Sequence, residues 1–330
     1  MLPTKKSTIK SCDIKKIFTN YNLGEVKSFD SFEAGTVQTN ILVYTTHGRF
    51  VLRYYERNRS FHSVLFEVNL IKYLKKRKYP CPDILRNKRG KFAAYFKNKP
   101  YAIFEFIEGV HIEQPNKKQR LRLIEKVAQL QNLTKNYRPT YTRHRWNYGI
   151  ELCEILAENI ATELATESAQ KKLIWYRRQL SELVLPMSLP KGICHCDFHF
   201  SNVLFEGNTF CALLDFDDAN YTFLTFDLAC LIDINLFIPS FGWNTWHHFG
   251  LDDEIFNFKS VKRTVSEYQK FRPLNSVEKK YFFDVYKLSV LIDCLWFFER
   301  GNSSSSFYEQ RKIQYLNRLG RDSFYCQVFG

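Results

Sequence analysis

Hydrophobic and polar positions change texture along this chain, beginning with a β-rich text. From Val26 onward short apolar runs at residues 41–44 and 50–54 alternate with polar positions, and Thr46-His47-Gly48 sits between them where the chain can reverse, which predicts a β-meander. Over residues 62–78, Val64, Val68, Ile71 and Leu74 recur at helical spacing, with Glu67 one position off that stripe. Pro80 and Pro82 stop this helix, since proline disfavours helical backbone in the residue before it. Residues 91–96 and 100–106 read as two more strands. Beyond residue 115 the period becomes helical: Leu121, Ile124, Val127, Ala128 and Leu130 share one face, and further helices are predicted over 150–185, 253–271, 276–300 and 308–319. A short helix over 13–21 precedes the first strand, and the serine-rich stretch 301–306 reads as a flexible polar loop.

The helical half is interrupted once, at residues 193–218, where polar chemistry is concentrated. Val203-Leu204-Phe205 reads as a strand, Glu206-Gly207-Asn208 as a turn and residues 211–214 as the returning strand, so the hairpin carries Asp215 back toward Asn202. Asp197 precedes Asn202 by five positions, and Asp217 and Asp218 follow Asp215. Phosphoryl transfer needs such a set. One carboxylate orients or accepts the proton of an attacking hydroxyl, while an asparagine oxygen and a second carboxylate hold Mg2+ against the phosphates of a nucleotide.

His195-Cys-Asp197-Phe-His-Phe-Ser-Asn202 and Leu214-Asp215-Phe-Asp217-Asp218-Ala resemble the catalytic and metal-binding motifs of the superfamily of aminoglycoside phosphotransferases, choline kinases and type II homoserine kinases. The resemblance covers residues 24–320 and implies an α+β, protein-kinase-like bilobal fold. A β-rich N-lobe would span 1–106 and a mainly helical C-lobe 107–330. Carried over by position, Asp197 is the catalytic base, Asn202 and Asp215 are the magnesium ligands, and Asp217 is a further carboxylate beside metal or acceptor. His195 belongs to the same motif, and Asp227 in Phe226-Asp-Leu-Ala229 braces the backbone of the catalytic loop. Gly35 and Thr36 fall in the loop that covers the nucleotide, where a glycine lets backbone amides approach phosphates. Arg53 stands where a phosphate-binding lysine is usual, and Glu67 is the helix carboxylate that pairs with it. The base would bind backbone groups near Glu105 and Ile107 in the linker Phe104-Glu-Phe-Ile-Glu-Gly109. Three positions depart from the family: Arg53 for Lys, Cys196 for Gly and Gln131 for His.

Composition narrows the alternatives. In 330 residues, 45% hydrophobic and 16% aromatic content supply enough apolar side chains for two lobes sharing a cleft. No apolar run reaches membrane-spanning length and the first residues lack the apolar core of a signal peptide, so a soluble, cytoplasmic protein without a membrane partner is expected. Nine cysteines without paired spacing fit reduced thiols, Cys196 being the one placed to meet an alkylating reagent. A zinc site at Cys194, His195, Cys196 and His199 would need convergence, whereas successive residues of an extended segment point to opposite faces. The net charge of +14 raises a nucleic-acid function, but the lysines are spread, 75–78 suits the solvated end of a helix, and no nucleic-acid-binding signature accompanies them; no specific nucleic-acid partner is expected.

Together these features point to a magnesium-dependent kinase that takes ATP or GTP as co-substrate and phosphorylates a small hydroxylated acceptor. Homoserine leads, because Ala34-Gly-Thr-Val-Gln-Thr-Asn40 and Gly48-Arg-Phe-Val-Leu-Arg-Tyr-Tyr-Glu56 look most like type II homoserine kinases. Aminoglycosides, choline and, as in the stress-response kinase of this fold, protein Ser/Thr remain open as acceptors. A nucleotide-binding protein without catalysis is the alternative that Arg53 and Cys196 favour.

Overall fold

The computed structural model describes residues 7–32, 37–56, 60–234, 236–237, 257–301 and 308–330. The expectations for Gly35 and Thr36, for the polar loop after residue 301, and for most of the aromatic stretch after Asp233 lie outside the described residues.

The N-terminal part opens with helix α1 (Ser11–Phe18) and a sheet of β1 (Val26–Ser31), β2 (Thr39–Thr45), β3 (Gly48–Tyr54), β4 (Ala93–Phe96) and β5 (Lys99–Glu105). The strands lie in the order β1-β2-β3-β5-β4, each neighbouring pair antiparallel. Helix α2 (Phe61–Lys76) crosses between β3 and β4, its first turn capped by the Ser60 hydroxyl, which accepts from the Ser63 amide at 3.2 Å. Period-two alternation divides the sheet between two cores. Ile41, Val43, Leu52, Tyr54, Tyr101 and Ile103 pack with Ile14, Ile17 and Phe18 of α1. On the opposite face Ala102 and Phe104 join Val64, Phe66, Leu70 and Leu74 of α2 in the larger core. Arg53, between Leu52 and Tyr54, is thereby sent to the α2 face.

The remainder is mainly helical: α3 (Lys117–Thr134), α4 (Ile150–Leu164), α5 (Glu167–Ser181), α6 (Phe226–Asp233), α7 (Phe258–Gln269), α8 (Ser276–Lys280), α9 (Phe282–Glu299), α10 (Tyr308–Leu319) and α11 (Arg321–Phe329). Between α5 and α6 lie β6 (Lys191–Cys194), the hairpin β7 (Val203–Glu206) and β8 (Thr209–Leu213), and β9 (Asn220–Phe223), with β6 pairing β9 and β7 pairing β8. Two glycines permit the close approaches that seat these strands. At Gly109, with φ +147°, a Cβ would come 2.9 Å from Leu204 Cβ, and the next residue, Val110, exchanges backbone hydrogen bonds of 2.9 Å with Phe205. At Gly192 a Cβ would meet the Thr134 carbonyl at 2.8 Å, so this position lets β6 lie against the end of α3. No helix among the described residues is long and apolar enough to cross a membrane.

Several boundaries differ from the sequence expectation. The helix expected over 150–185 is two helices, because Ala165 turns left-handed (φ +50°) and the Thr166 hydroxyl caps a new start, accepting from the Ala169 amide. The helix expected over 276–300 breaks after Lys280, so the short α8 precedes α9. Helix α11 was not anticipated; Gly320, with φ +75°, ends α10 and the chain resumes as a helix whose Phe324 is buried against Phe258, Phe282, Phe283 and Tyr286. With a fully packed aromatic as its anchor, α11 should stabilise the helical part strongly. Phe324→Ala is expected to cost about 3–5 kcal/mol in urea unfolding, and a loss below about 1 kcal/mol would mean that α11 is not docked.

Candidate active site

The site is assembled where β6, the β7–β8 hairpin and the sheet meet. Local pairing brings the two polar clusters together: the Leu214 amide donates to the Asn202 carbonyl at 2.7 Å, which sets Asp215 one peptide away from Asn202. His195 locks the same junction from behind. Its ring is wholly buried, its Nε2 donates to the Leu214 carbonyl at 2.8 Å, and Phe198 and Phe216 stand edge-on to it. Asp227, also wholly buried, accepts from the amides of His195 at 3.0 Å and Cys196 at 2.8 Å, through separate carboxylate oxygens. Burial raises its carboxyl pKa, and His195 and the two amides oppose that shift. Helix α6 thus holds the approach to Asp197 by its backbone.

Asp197 accepts from the Asn202 side-chain amide at 2.7 Å and lies 2.7 Å from His199 Nε2. Burial pushes its carboxyl up, but His199, His195 and the Asn202 amide outweigh burial and hold it down at about 2. It is therefore a carboxylate at neutral pH. His199 itself bonds the Ser201 hydroxyl through Nδ1 at 2.6 Å, which orients the ring. Sequence inspection weighed His199 only as a zinc ligand. The signal that could have found its actual place is the spacing from Asp197, since residues two apart on extended backbone face the same side.

Arg53 joins the N-terminal sheet to this centre. The residue is 6% exposed and its guanidinium forks: Nη1 reaches Glu67 Oε1 at 3.3 Å and Nη2 reaches Asp215 Oδ1 at 2.5 Å. Burial pulls the guanidinium toward neutrality, but Asp215 and Glu67 more than compensate, so it stays charged. Glu67 is wholly buried rather than solvated, because α2 is covered on both sides; Tyr55 donates to its second oxygen at 3.1 Å. Burial raises its carboxyl and Arg53 opposes the rise. Asp217 is buried and accepts from Gln38 Nε2 at 3.0 Å, while Gln38 Oε1 accepts from the Glu56 amide. Gln38, which the sequence did not single out, ties the chain just before β2 to the segment that follows Asp215.

Magnesium fits the donors present. Asn202 spends its amide nitrogen on the Asp197 carbonyl and carboxylate, which leaves Oδ1, and Asp215 commits Oδ1 to Arg53, which leaves Oδ2. Both are hard oxygen donors, and the Asp215 side chain is 41% exposed. Bound there, the ion would supply neutralisation of phosphate charge. Among the described residues no three His, Cys, Asp or Glu side chains gather to hold a metal, so the zinc arrangement does not form; Cys194 instead donates to the Phe223 carbonyl. In the linker, the Glu105 amide is committed to the Asp83 carbonyl and its side chain to Lys75 at 2.7 Å, whereas Ile107 is half-buried and forms no hydrogen bond among the described residues. Glu105 thus has a structural task for its amide and side chain.

Two residues of the centre have left-handed backbone, Cys196 (φ +64°) and Asp215 (φ +54°). This explains why glycine is the family's habit at the first of them. The Cys196 thiol accepts from Asn220 at 3.2 Å and burial pushes its pKa well up, which favours the protonated thiol, while the residue keeps partial exposure. Cys196→Gly should exceed Cys196→Ala in stability by about 1 kcal/mol, as both lose sulfur and only Ala retains the strained Cβ; urea midpoints would contradict this if the Ala variant matched or surpassed Gly. A second expectation concerns pH. Because the folded pKa of Asp197 lies below its ordinary value, its pairing stabilises the fold fully above about pH 4 and progressively less as pH falls toward about 2. The stability difference between the parent protein and Asp197→Asn should accordingly shrink between about pH 5 and 2.5, and a difference constant over that range would count against the pairing.

Comparison with known proteins places this geometry. The sequence model of the family described as phosphotransferase enzyme family matches residues 29–255, which include most of the sheet, α2, Asp197, Asn202 and Asp215. The chain is 27% identical over 270 residues to a homoserine kinase of Bartonella tribocorum, covering 81% of this chain and 79% of that protein. Among solved structures, a microcompartment-associated aminopropanol kinase matches with a TM-score of 0.67 at 15% identity, covering 94% of this chain and 97% of the other. An amicoumacin kinase in complex with AMP-PNP, Ca2+ and Ami matches with a TM-score of 0.66 at 16% identity, covering 96% and 94%. At these identities the structural likeness speaks for the fold, which is bilobal, α+β and kinase-like. The extent of the family match, over more than half of the sequence, means that this chain belongs to the phosphotransferase enzyme family.

Proposed function

We propose that the protein transfers the γ-phosphate of ATP or GTP, with Mg2+, to the hydroxyl of a small metabolite, and that homoserine is the acceptor. The observation that carries this is the juxtaposition of an ionised Asp197 with Asn202 and, one peptide beyond the Leu214–Asn202 hydrogen bond, Asp215. Asp197 would orient the acceptor hydroxyl and take its proton. A carboxylate this weakly basic suits a loose transition state, in which the proton leaves late and positioning matters more than base strength. Asn202 and Asp215 would hold the metal, and Arg53, backed by Glu67, is the cation available to phosphate oxygens. The amicoumacin kinase of like fold was solved with AMP-PNP, which supports an adenine nucleotide as co-substrate; its base would meet backbone groups near Glu105 and Ile107. The homoserine kinase at 27% identity supports the acceptor.

We assign residues 1–106 to a nucleotide-covering lobe and 107–330 to a lobe carrying the catalytic loop and acceptor site, a division supported by the end of β5 at Glu105 and the docking of Val110 on β7. The cysteines, which stand as thiols, support a cytoplasmic setting, where they stay reduced.

The test is a panel of acceptors offered with magnesium ATP or GTP, with product followed as a new phosphate ester. Homoserine should give the highest kcat/KM. Asp197→Asn should lose about 10²–10⁴-fold in kcat while nucleotide affinity stays near that of the parent. Turnover of Asp197→Asn within a few-fold of the parent would remove Asp197 from its role, and preference for choline or an aminoglycoside would replace homoserine.

A further inference from the structure

Arg145 lies outside every motif that marks the site, in the segment between a 3-10 turn (Thr142–His144) and α4, yet the structure spends nearly all its donors around Asp215. Arg145 is 6% exposed. Nε and Nη2 both donate to the Ala219 carbonyl, at 3.0 and 2.7 Å, and Nη2 also reaches the carbonyls of Asp217 at 2.5 Å and Phe216 at 3.2 Å. From its other side Nη1 donates to the Ser63 hydroxyl at 3.0 Å, in the first turn of α2, and the guanidinium lies 4.8 Å from the Phe66 ring centroid. The segment that carries Arg145 is itself tied down: Asn147 Oδ1 accepts from the Tyr221 amide and the Tyr148 amide donates to Asn220, each at 3.0 Å.

These contacts have a direction. Ser63 lies one turn before Glu67, and Phe216, Asp217 and Ala219 directly follow Asp215. Glu67 and Asp215 are the two carboxylates that share Arg53. Arg145 therefore grips both elements that hold the phosphate-side cation, and it does so through backbone carbonyls, whose positions define the loop. Three carbonyls converging on one cation also favour the reversal that leaves Asp215 left-handed at φ +54°.

We infer that Arg145 is a positioning residue for phosphotransfer: it fixes the Asp215–Ala219 loop relative to α2 and so sets the affinity for magnesium nucleotide without touching either metal or nucleotide. This rests on the function proposed above. Lysine cannot replace it, because one ammonium cannot reach Ser63 and three carbonyls in a planar fork.

Arg145→Lys and Ser63→Ala test the inference together. The second removes one arm of the bridge and leaves the Ser60 cap intact, since that cap uses the Ser63 amide. In thermal-shift titrations with ATP, Arg145→Lys should raise the magnesium concentration for half-maximal protection about tenfold and Ser63→Ala about threefold, in line with the loss of charge-assisted hydrogen bonds. KM for magnesium nucleotide should rise in step, and hydrogen exchange at the amides of residues 216–219 should quicken in the nucleotide-free variants. If Arg145→Lys does not fold, Ser63→Ala decides. A lowered melting temperature with the parent's magnesium dependence and exchange rates means a merely structural arginine and overturns the inference. The parent separates the two levels: no magnesium-dependent protection in the parent removes the phosphotransfer function and this inference with it, whereas protection that is equal in parent and variants removes this inference alone.

Discussion

The structure depends on one buried cation. Arg53 arrives from β3 on the face that alternation assigns to it, and a guanidinium this far from water costs several kcal/mol unless its charge is paired with carboxylates. Glu67 and Asp215 provide that pairing, one from α2 and one from the loop beyond β8. Sheet, helix and the Asp215 loop cannot separate without stranding a charge, so the requirement that stabilises Arg53 also aligns the groups that, on the proposed function, a phosphate would meet. Losing one partner would be worse than losing the whole triad to apolar residues, and this is why the pair is better evidence of specificity than of stability.

Around that triad the backbone is held in place from behind. His195 fixes Leu214, Asp227 fixes the amides of His195 and Cys196, and Gln38 reaches across to Asp217. These contacts support two residues in left-handed conformation, Cys196 and Asp215, whose cost of about 1–2 kcal/mol each is borne by the surrounding hydrogen bonds. Arginine in place of the family's lysine suits this design. A planar fork can bond two carboxylates at once, which a single ammonium does less well.

Much of this was legible in the sequence because it is local. The hairpin that returns Asp215 to Asn202 follows from two short apolar runs and a turn, whereas the pairing of Arg53 with Glu67 was expected only from the resemblance to the family. What escaped notice is non-local or conformational. Arg145 sits some seventy positions from the loop it grips, and no periodicity links the two. His199 was visible but was weighed for a metal because its partner, Asp197, was assigned separately. The break at Ala165 and the extra helix α11 turn on a left-handed residue and on Phe324 finding an aromatic pocket, both decided by tertiary packing. The identity of the acceptor is the least legible feature, since hydroxyl recognition is built from side chains that no spacing rule orders.

The central claim is that Asp215 and Asn202 form a magnesium-dependent nucleotide site beside Asp197. Calorimetric titration of the protein with ATP and with GTP, in the presence and absence of Mg2+, tests it most directly when the same series is run on Asp215→Ala. One nucleotide should bind the parent far more tightly with magnesium than without, and this gain should vanish in Asp215→Ala. Affinity indifferent to magnesium in the parent, or a gain preserved in the variant, would contradict the site.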